Sequence, residues 1–375
     1  MASFSPRELI VLSQIPGIGC LRLRNLVNHF GDPRAIALAS VRQLSDVEGI
    51  DRKAALAITQ FTRSPAAETA GAYADDQLRR LARTPGRMIT IWDDEYPAYL
   101  ERIYDPPAFL FVRGGFAPID DSSVAIVGTR APTPYGSMVA ERFAAGLAHQ
   151  GLTVVSGLAR GIDTVAHSAA LRAGGRTIAV LGSGIDVIYP AENKALSARV
   201  AEQGALVSEY LMGAKPDAVN FPRRNRIISG ISLGTLIVES GIEGGAMITA
   251  TTALDQNREV FAIPSALHER RSSGTNRLIK DGKALLTENV EDILAELGPR
   301  LKGIAHNLPP TLLHAPQDLS LFERRIYDAM EEQPLHIDQL AARSGLATGD
   351  TLVHLLSLEF KGAVRQMAGR MFVKT

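Results

Sequence analysis

The densest chemistry in the chain is a short basic run, Asn220-Phe221-Pro222-Arg223-Arg224-Asn225-Arg226-Ile227-Ile228-Ser229-Gly230. Guanidinium forks neutralise phosphates. An aromatic ring stacks on a nucleobase for about 1–3 kcal/mol. An asparagine amide hydrogen-bonds a base edge or holds a loop. Basic residues interleaved with an aromatic suit single-stranded nucleic acid. The run precedes a helix in this reading. The plainer alternative is that some arginines hold carboxylates elsewhere and Phe221 is core, and at least one of the three arginines is expected to be structural.

Glycine-rich turns recur after apolar runs. Gly128-Thr129-Arg130 ends one run, where a glycine lets a ligand approach the backbone and a following helix favours an anion. Ser156-Gly157-Leu158-Ala159-Arg160-Gly161-Ile162-Asp163 ends the next, with His167 four residues on. Asp163 and His167 have no nucleophile beside them, so a hydrogen bond fixing the loop explains them better than acid–base work. Gly182-Ser183-Gly184 has two glycines of a dinucleotide fingerprint and lacks the third, which argues against a nicotinamide site. Lys194 supplies a further cation. Gly244-Gly245 makes room before a helix, for a ligand or a close chain contact. Arg271 to Asn276 is a polar loop that could wrap the same edge.

These turns need a frame. Apolar runs near 124–127, 153–155, 177–181, 205–207, 235–238 and 260–263 alternate with helical stretches such as 135–149 and 162–173. That alternation predicts an α/β fold with an extended, doubly wound, mostly parallel Rossmann-like sheet. Ligands of such sheets bind at the strand C-terminal edge. Residues 1–70 read as short helices joined by Pro16-Gly17-Ile18-Gly19 and by a looser copy ending in Gly49-Ile50. Such turns can present amides to phosphate, as in helix-hairpin-helix proteins, or simply join packed helices. Residues 71–297 hold the sheet, with further strands near 87–92 and 109–112. Residues 298–317 are proline-rich and read as a linker. Residues 318–375 read as three helices and a terminal hairpin turning at Ala368-Gly369-Arg370, a winged helix.

The chain has 375 residues, with 40 Lys+Arg balancing 40 Asp+Glu. At 46% apolar and 21% charged, its composition is that of a globular protein rather than a disordered one. Zero net charge means that any nucleic-acid binding rests on a local patch. No apolar run approaches the ~20 residues of a membrane span, and residues 1–9 show no secretory pattern. Cys20 is alone, which excludes a disulfide framework and a cysteine metal site within one chain. The expected compartment is the cytoplasm. No cofactor and no metal are expected.

Three motifs occur in order over about 100 residues: Gly128-Thr129-Arg130; Ser156-Gly157-x-Ala159-Arg160-Gly161-Ile162-Asp163 with His167; and Phe221-Pro222-x-Arg224-Asn225-Arg226-Ile227-Ile228. Together with Tyr96-Pro97 and Asp105-Pro106-Pro107, they resemble the DNA-processing protein A (DprA, or Smf) family along essentially the whole chain. The resemblance implies a non-enzymatic recombination mediator that binds incoming single-stranded DNA during natural transformation, protects it and helps load RecA. It implies a homodimer through the Rossmann domain. The implied DNA-binding residues are Gly128, Thr129, Arg130, Ser156, Gly157, Arg160, Lys194, Phe221, Arg224, Asn225 and Arg226. If Arg130, Lys194, Arg224 and Arg226 each neutralise a phosphate, log K falls against log salt with a slope near −3. The terminal unit carries seven Lys/Arg against eight acids over 317–375, which fits a protein contact at least as well as DNA.

Two rivals stand beside this reading. The core also resembles nucleotide phosphoribohydrolases with a Gly-Gly-x-Gly-Thr-x-x-Glu segment. Here Met247, Ile248 and Thr251 fall on the Gly, Thr and Glu positions, so the carboxylate is missing. The winged helix alternatively marks a transcription regulator, which the acidic balance of that unit disfavours.

Overall fold

The computed structural model describes residues 4–266, 269–301, 319–330, 335–360, 363–367 and 371–374. It divides into two compact units, Met1–Ala305 and His306–Thr375.

The first unit opens with six helices: α1 (Pro6–Ser13), α2 (Cys20–Phe30), α3 (Pro33–Leu38), α4 (Val41–Ser45), α5 (Arg52–Thr62) and α6 (Pro65–Ala82). Local sequence sets their starts. Ser5 and Ser40 each make a capping box, with Glu8 and Gln43. Asp51 and Ser64 cap α5 and α6. Gly17 and Gly49 carry φ of +80° and +79° in the two helix-joining turns, a region that costs other residues strain.

The sheet has nine strands among the described residues: β1 (Gly86–Thr90), β2 (Phe109–Gly114), β3 (Ser123–Val127), β4 (Thr153–Ser156), β5 (Thr177–Val180), β6 (Ala205–Ser208), β7 (Gly234–Ile237), β8 (Glu259–Ala262) and β9 (Leu285–Leu286). Their order is β1-β2-β6-β5-β4-β3-β7-β8-β9. The run from β6 to β9 is parallel, while β1 and β2 join antiparallel. Between the strands run α7 (Ala98–Glu101), α8 (Pro134–His149), α9 (Ile162–Arg172), α10 (Lys194–Gln203), α11 (Asn220–Ile231), α12 (Gly245–Asp255) and α13 (Ser273–Lys280), and α14 (Val290–Leu297) follows β9.

Strands β3 to β7 are buried at every position, which explains why each reads as an apolar run rather than an alternation. Strand β2 alternates faces. Leu110 and Val112 join the core shared with α11 and α12, whereas Phe109 and Phe111 join the core of the six amino-terminal helices. Fully burying a phenylalanine contributes about 1.5–3 kcal/mol. That shared core makes the helical domain and the sheet one unit.

The second unit has α15 (Leu321–Ala329), α16 (Ile337–Ser344) and α17 (Thr348–Phe360), with β10 (Leu335–His336), β11 (Val364–Met367) and β12 (Met371–Lys374). The order β10-β12-β11 is the sheet of a winged helix, as the sequence predicts. The expected hairpin tip at 368–370 and residues 302–317 of the expected linker lie outside the described residues.

Candidate nucleic-acid interface

The connectivity places the site. From β3 the chain steps to β4, β5 and β6 on one side, then returns to β7 on the other. The loops leaving β3 and β7 therefore diverge, and a crevice opens at the strand ends. A cleft of about 680 Å³ occupies this point, within the usual range for small-ligand sites. Gly128, Thr129 and Arg130 line it from β3. Ser240, Gly241, Gly244 and Gly245 line it from β7, and Phe221, Arg224, Asn225 and Ile228 from α11.

Gly128 is required by packing, since a Cβ there would lie 2.6 Å from Ile162 Cγ1. Thr129 stitches the floor together. Its N–H donates to Glu239 O at 2.7 Å, and its carbonyl accepts from Ile162 N at 3.2 Å.

The arginine run corrects the sequence reading. It lies inside α11, not before a helix, and helical spacing separates its members. Phe221, Arg224, Asn225 and Ile228 follow i, i+3, i+4 and i+7 and share the cleft face. Arg224 is buried. Its Nη1 donates to Gly157 O at 2.7 Å and to Val180 O, while Nε has no partner. Burial pushes its guanidinium down to about 10, so it stays charged at neutral pH. Asp163 accepts from Gly157 N at 3.0 Å and Ala159 N at 3.3 Å, and burial raises its carboxyl against the pull of Arg224. Arg226 points elsewhere. It bonds Asp105 at 3.0 Å and Glu209 at 2.5 Å. Burial works against its charge, yet the two carboxylates more than offset this and hold the guanidinium above its usual value. Two of the three arginines are thus committed within the protein. Arg223 is exposed and makes no ion pair among the described residues.

Phe221 is half-buried and carries cations on its ring. Arg130, exposed, lies 5.2 Å from the ring centroid and Arg224 lies 5.9 Å from it. Tyr189 is tilted beside it at 5.9 Å. The Gly182 turn, read as a partial dinucleotide fingerprint, seats this ring, because a Cβ there would come within 3.0 Å of Phe221 Cδ1.

The other expected contacts fall away from the cleft wall. Ser156 is fully buried and donates to Ile126 O at 2.6 Å. Gly157 is covered by Arg224, whose Nη atoms would lie 2.5 Å from a Cβ there. Arg160 pairs with Glu192 at 2.8 Å, both exposed. Lys194 is exposed in the first turn of α10 and does not line the cleft. The loop reading matches the geometry for Asp163, whereas His167 is anchored to a strand of the core. Asp163 takes amide protons, while His167 Nδ1 meets Thr177 Oγ1 at 2.7 Å in the core. Burial pushes His167 down to about 3, so it is neutral.

In the amino-terminal helices, Gly19 and Cys20 face Pro107, Phe109 and Glu209 across a 260 Å³ cavity. The first helix-joining turn therefore meets the sheet domain. Among the residues lining the cleft, Tyr189, Ser240, Ile248 and Thr249 were not among the expected contacts. The sequence signals near them were the glycine pair opening α12 and the segment that leads to Lys194.

The architecture defines a Rossmann-like binding protein with a helical domain before the sheet, a winged helix after it, and a basic, aromatic cleft at the topological switch point. Residues 87–298 match the DNA recombination-mediator protein A family, residues 310–370 the DprA winged helix domain, and residues 9–64 a SAM-like helix-hairpin-helix tandem. The chain is 34% identical to Protein Smf of Synechocystis sp. over 99% of both chains. It also resembles the structure of DNA processing protein A from Streptococcus pneumoniae, with TM-score 0.66 and 33% identity, over 78% of this chain and 98% of that one. A structure of the Helicobacter pylori protein, described for its single-stranded DNA binding mode, matches with TM-score 0.52 and 30% identity over 57% and 96%. The chain belongs to the DprA/Smf family of DNA recombination-mediator proteins.

Proposed function

We propose that the chain binds single-stranded DNA in the β3/β7 cleft and acts as a recombination mediator in the cytoplasm. It shields incoming strands during natural transformation and helps load RecA on them. The observation that carries this is the Phe221 ring, held in the cleft wall with the exposed Arg130 5.2 Å from its centroid. A base stacking there places its phosphates toward Arg130. The single-stranded DNA binding mode described for the Helicobacter pylori relative supports the same ligand.

The binding needs no covalent step. Where the resembling phosphoribohydrolases carry a glutamate, this chain has Thr251, whose hydroxyl donates to Met247 O at 3.1 Å. A homodimer through the sheet domain is favoured by the β9 edge, where Leu285 and Leu286 are 45% and 44% exposed.

The test is fluorescence anisotropy of a labelled ~30-nucleotide strand against duplex of the same sequence. It is paired with RecA filament formation on strands precoated with single-strand-binding protein. Strand-selective binding that weakens in Phe221→Ala, together with faster RecA loading by wild type, is expected. Equal binding by wild type and Phe221→Ala would sink the cleft assignment. Release of ribose 5-phosphate from AMP would instead restore the enzyme reading.

A further inference from the structure

The loop that carries Arg130 is tied down by one residue from the other side of the crevice. Glu239 stands just past the end of β7 and is 1% exposed. Its carbonyl accepts from Thr129 N at 2.7 Å, immediately before Arg130. Its carboxylate oxygen Oε2 accepts from Thr133 N and from Thr133 Oγ1, both at 3.0 Å, beyond Arg130. Arg130, Ala131 and Pro132 alone lie between the two ties. Arg271 reaches Ala131 O from outside at 3.4 Å. On the inner side the loop rests on Gly161, where a Cβ would lie 2.7 Å from the carbonyl carbon of Arg130.

The carboxylate serves this loop more than it serves α8. The first turn of α8 is capped directly by Thr133, whose Oγ1 accepts from Gly136 N at 3.0 Å. The carboxylate fills the space behind that cap, and a Cβ on Gly136 would collide with Oε2. Its other oxygen, Oε1, is buried and has no partner among the described residues. A buried carboxylate with one oxygen unsatisfied is a standing cost to stability, offset in part by the positive end of the α8 dipole. What that cost maintains is the path of residues 129–133. The path sets the exposed Arg130 guanidinium 5.2 Å from the centroid of Phe221.

We infer that Glu239 is a positioning residue for strand binding. It reaches from the end of β7, fixes the loop on both sides of Arg130, and so holds that guanidinium beside Phe221. This rests on the reading of the cleft as a single-strand site. It adds a residue that touches no DNA and sets affinity through another. Reach is what counts, because the tie to Thr133 is made by the tip of the side chain.

Two variants separate reach from charge. Glu239→Asp keeps the charge and draws the carboxylate back by one methylene, away from Thr133. Glu239→Gln keeps the length and an acceptor oxygen and loses the charge. Each is titrated by anisotropy with an ~8-nucleotide thymidine strand, alone and combined with Arg130→Ala, after thermal unfolding has shown it to be folded. Glu239→Asp is expected to bind about tenfold more weakly, the scale of one charged hydrogen bond. It is also expected to lose about 0.7 from the slope of log K against log salt, the share of one phosphate contact. In the Arg130→Ala background the same change should cost less than about twofold, because the group it positions is gone. Glu239→Gln should recover most of the lost affinity. Should Glu239→Asp not fold, Thr133→Val cuts the same tie from the loop side and carries the same expectations. Wild-type affinity and salt slope in Glu239→Asp overturn the proposal. So does a tenfold loss that persists without Arg130, which marks a general disturbance of the cleft, and so does a Gln variant as weak as the Asp one. If Arg130→Ala and Phe221→Ala lose binding while Glu239→Asp does not, the positioning role is wrong and the DNA cleft stands. If neither Arg130→Ala nor Phe221→Ala loses binding, the cleft reading falls with it.

Discussion

The salt dependence of strand binding separates the sequence reading from the structure. Four free cations, Arg130, Lys194, Arg224 and Arg226, give a slope of log K against log salt near −3. The structure removes two of them. Arg224 is buried against Gly157 O and Val180 O, and Arg226 is committed to Asp105 and Glu209. It adds one, the exposed Arg223. Arg130 is the exposed cation that lines the cleft; if Arg223 and Lys194, outside the cleft lining, each take one further phosphate of the bound strand at about −0.7 per contact, the slope for one site is about −2. Affinity then falls roughly 20-fold between about 50 and 200 mM salt. Arg130→Ala removes one contact, so its slope is about −1.4 and its loss over the same range about 7-fold. It also removes the cation beside Phe221, so affinity drops at every salt concentration. The assay is anisotropy of an ~8-nucleotide strand, short enough to occupy one protomer. A wild-type slope of −3 or steeper, or a slope that Arg130→Ala leaves unchanged, refutes the assignment of Arg224 and Arg226 to structural work.

Two further outcomes follow from the buried polar groups. Arg224→Met leaves Gly157 O and Val180 O without their donor and Asp163 without its cation. It should lower stability to urea by about 3–5 kcal/mol, and a loss below about 1 kcal/mol would contradict its role as an anchor. His167 titrates at about 3 when folded, against an ordinary value of 6.5. Between those values the unfolded chain binds a proton that the folded chain refuses, so stability falls as pH drops below 6.5. The expected loss is about 2 kcal/mol at pH 5, read as the difference in urea midpoint between wild type and His167→Gln across pH 5 to 7. No difference in pH dependence between the two would mean that His167 accepts a proton in the folded state.

The sheet was legible because buried parallel strands announce themselves as short apolar runs. The expected strands from 124 to 263 start within a residue of the observed ones. What failed was whatever depends on contacts across the fold. Helix α6 crosses the boundary expected at residue 70, because its buried face is built mainly of Ala70, Gly71, Ala74 and Gln77, with Leu81 as its one large apolar residue, so the sequence shows little apolar stripe there. Strand β9 has two residues and no pattern to find. The arginine run shows the limit most clearly. Three arginines within four positions look like one patch along a line, but at 100° per residue they face three directions. Glu239 and Thr133 are 106 residues apart, so the filling of the α8 terminus has no local signature.

Under the proposed function, the side chains of the two units favour the cleft over the terminal unit as the DNA site. In a winged helix the third helix reads the major groove with side chains that donate or accept at base edges, and it neutralises phosphates as it does so. Helix α17, Thr348 to Phe360, contains no lysine and no arginine. Leu352, Val353 and Leu356 are 39%, 64% and 41% exposed along it, and His354 stacks on Phe322 at 5.5 Å. An apolar face of that kind has little to offer a duplex, whereas the β3/β7 cleft holds an aromatic ring and an exposed guanidinium within one crevice. Removing the second unit should therefore change single-strand affinity by less than about threefold, a shift worth no more than a weak surface contact. A tenfold or greater loss on its removal would move part of the strand onto α17.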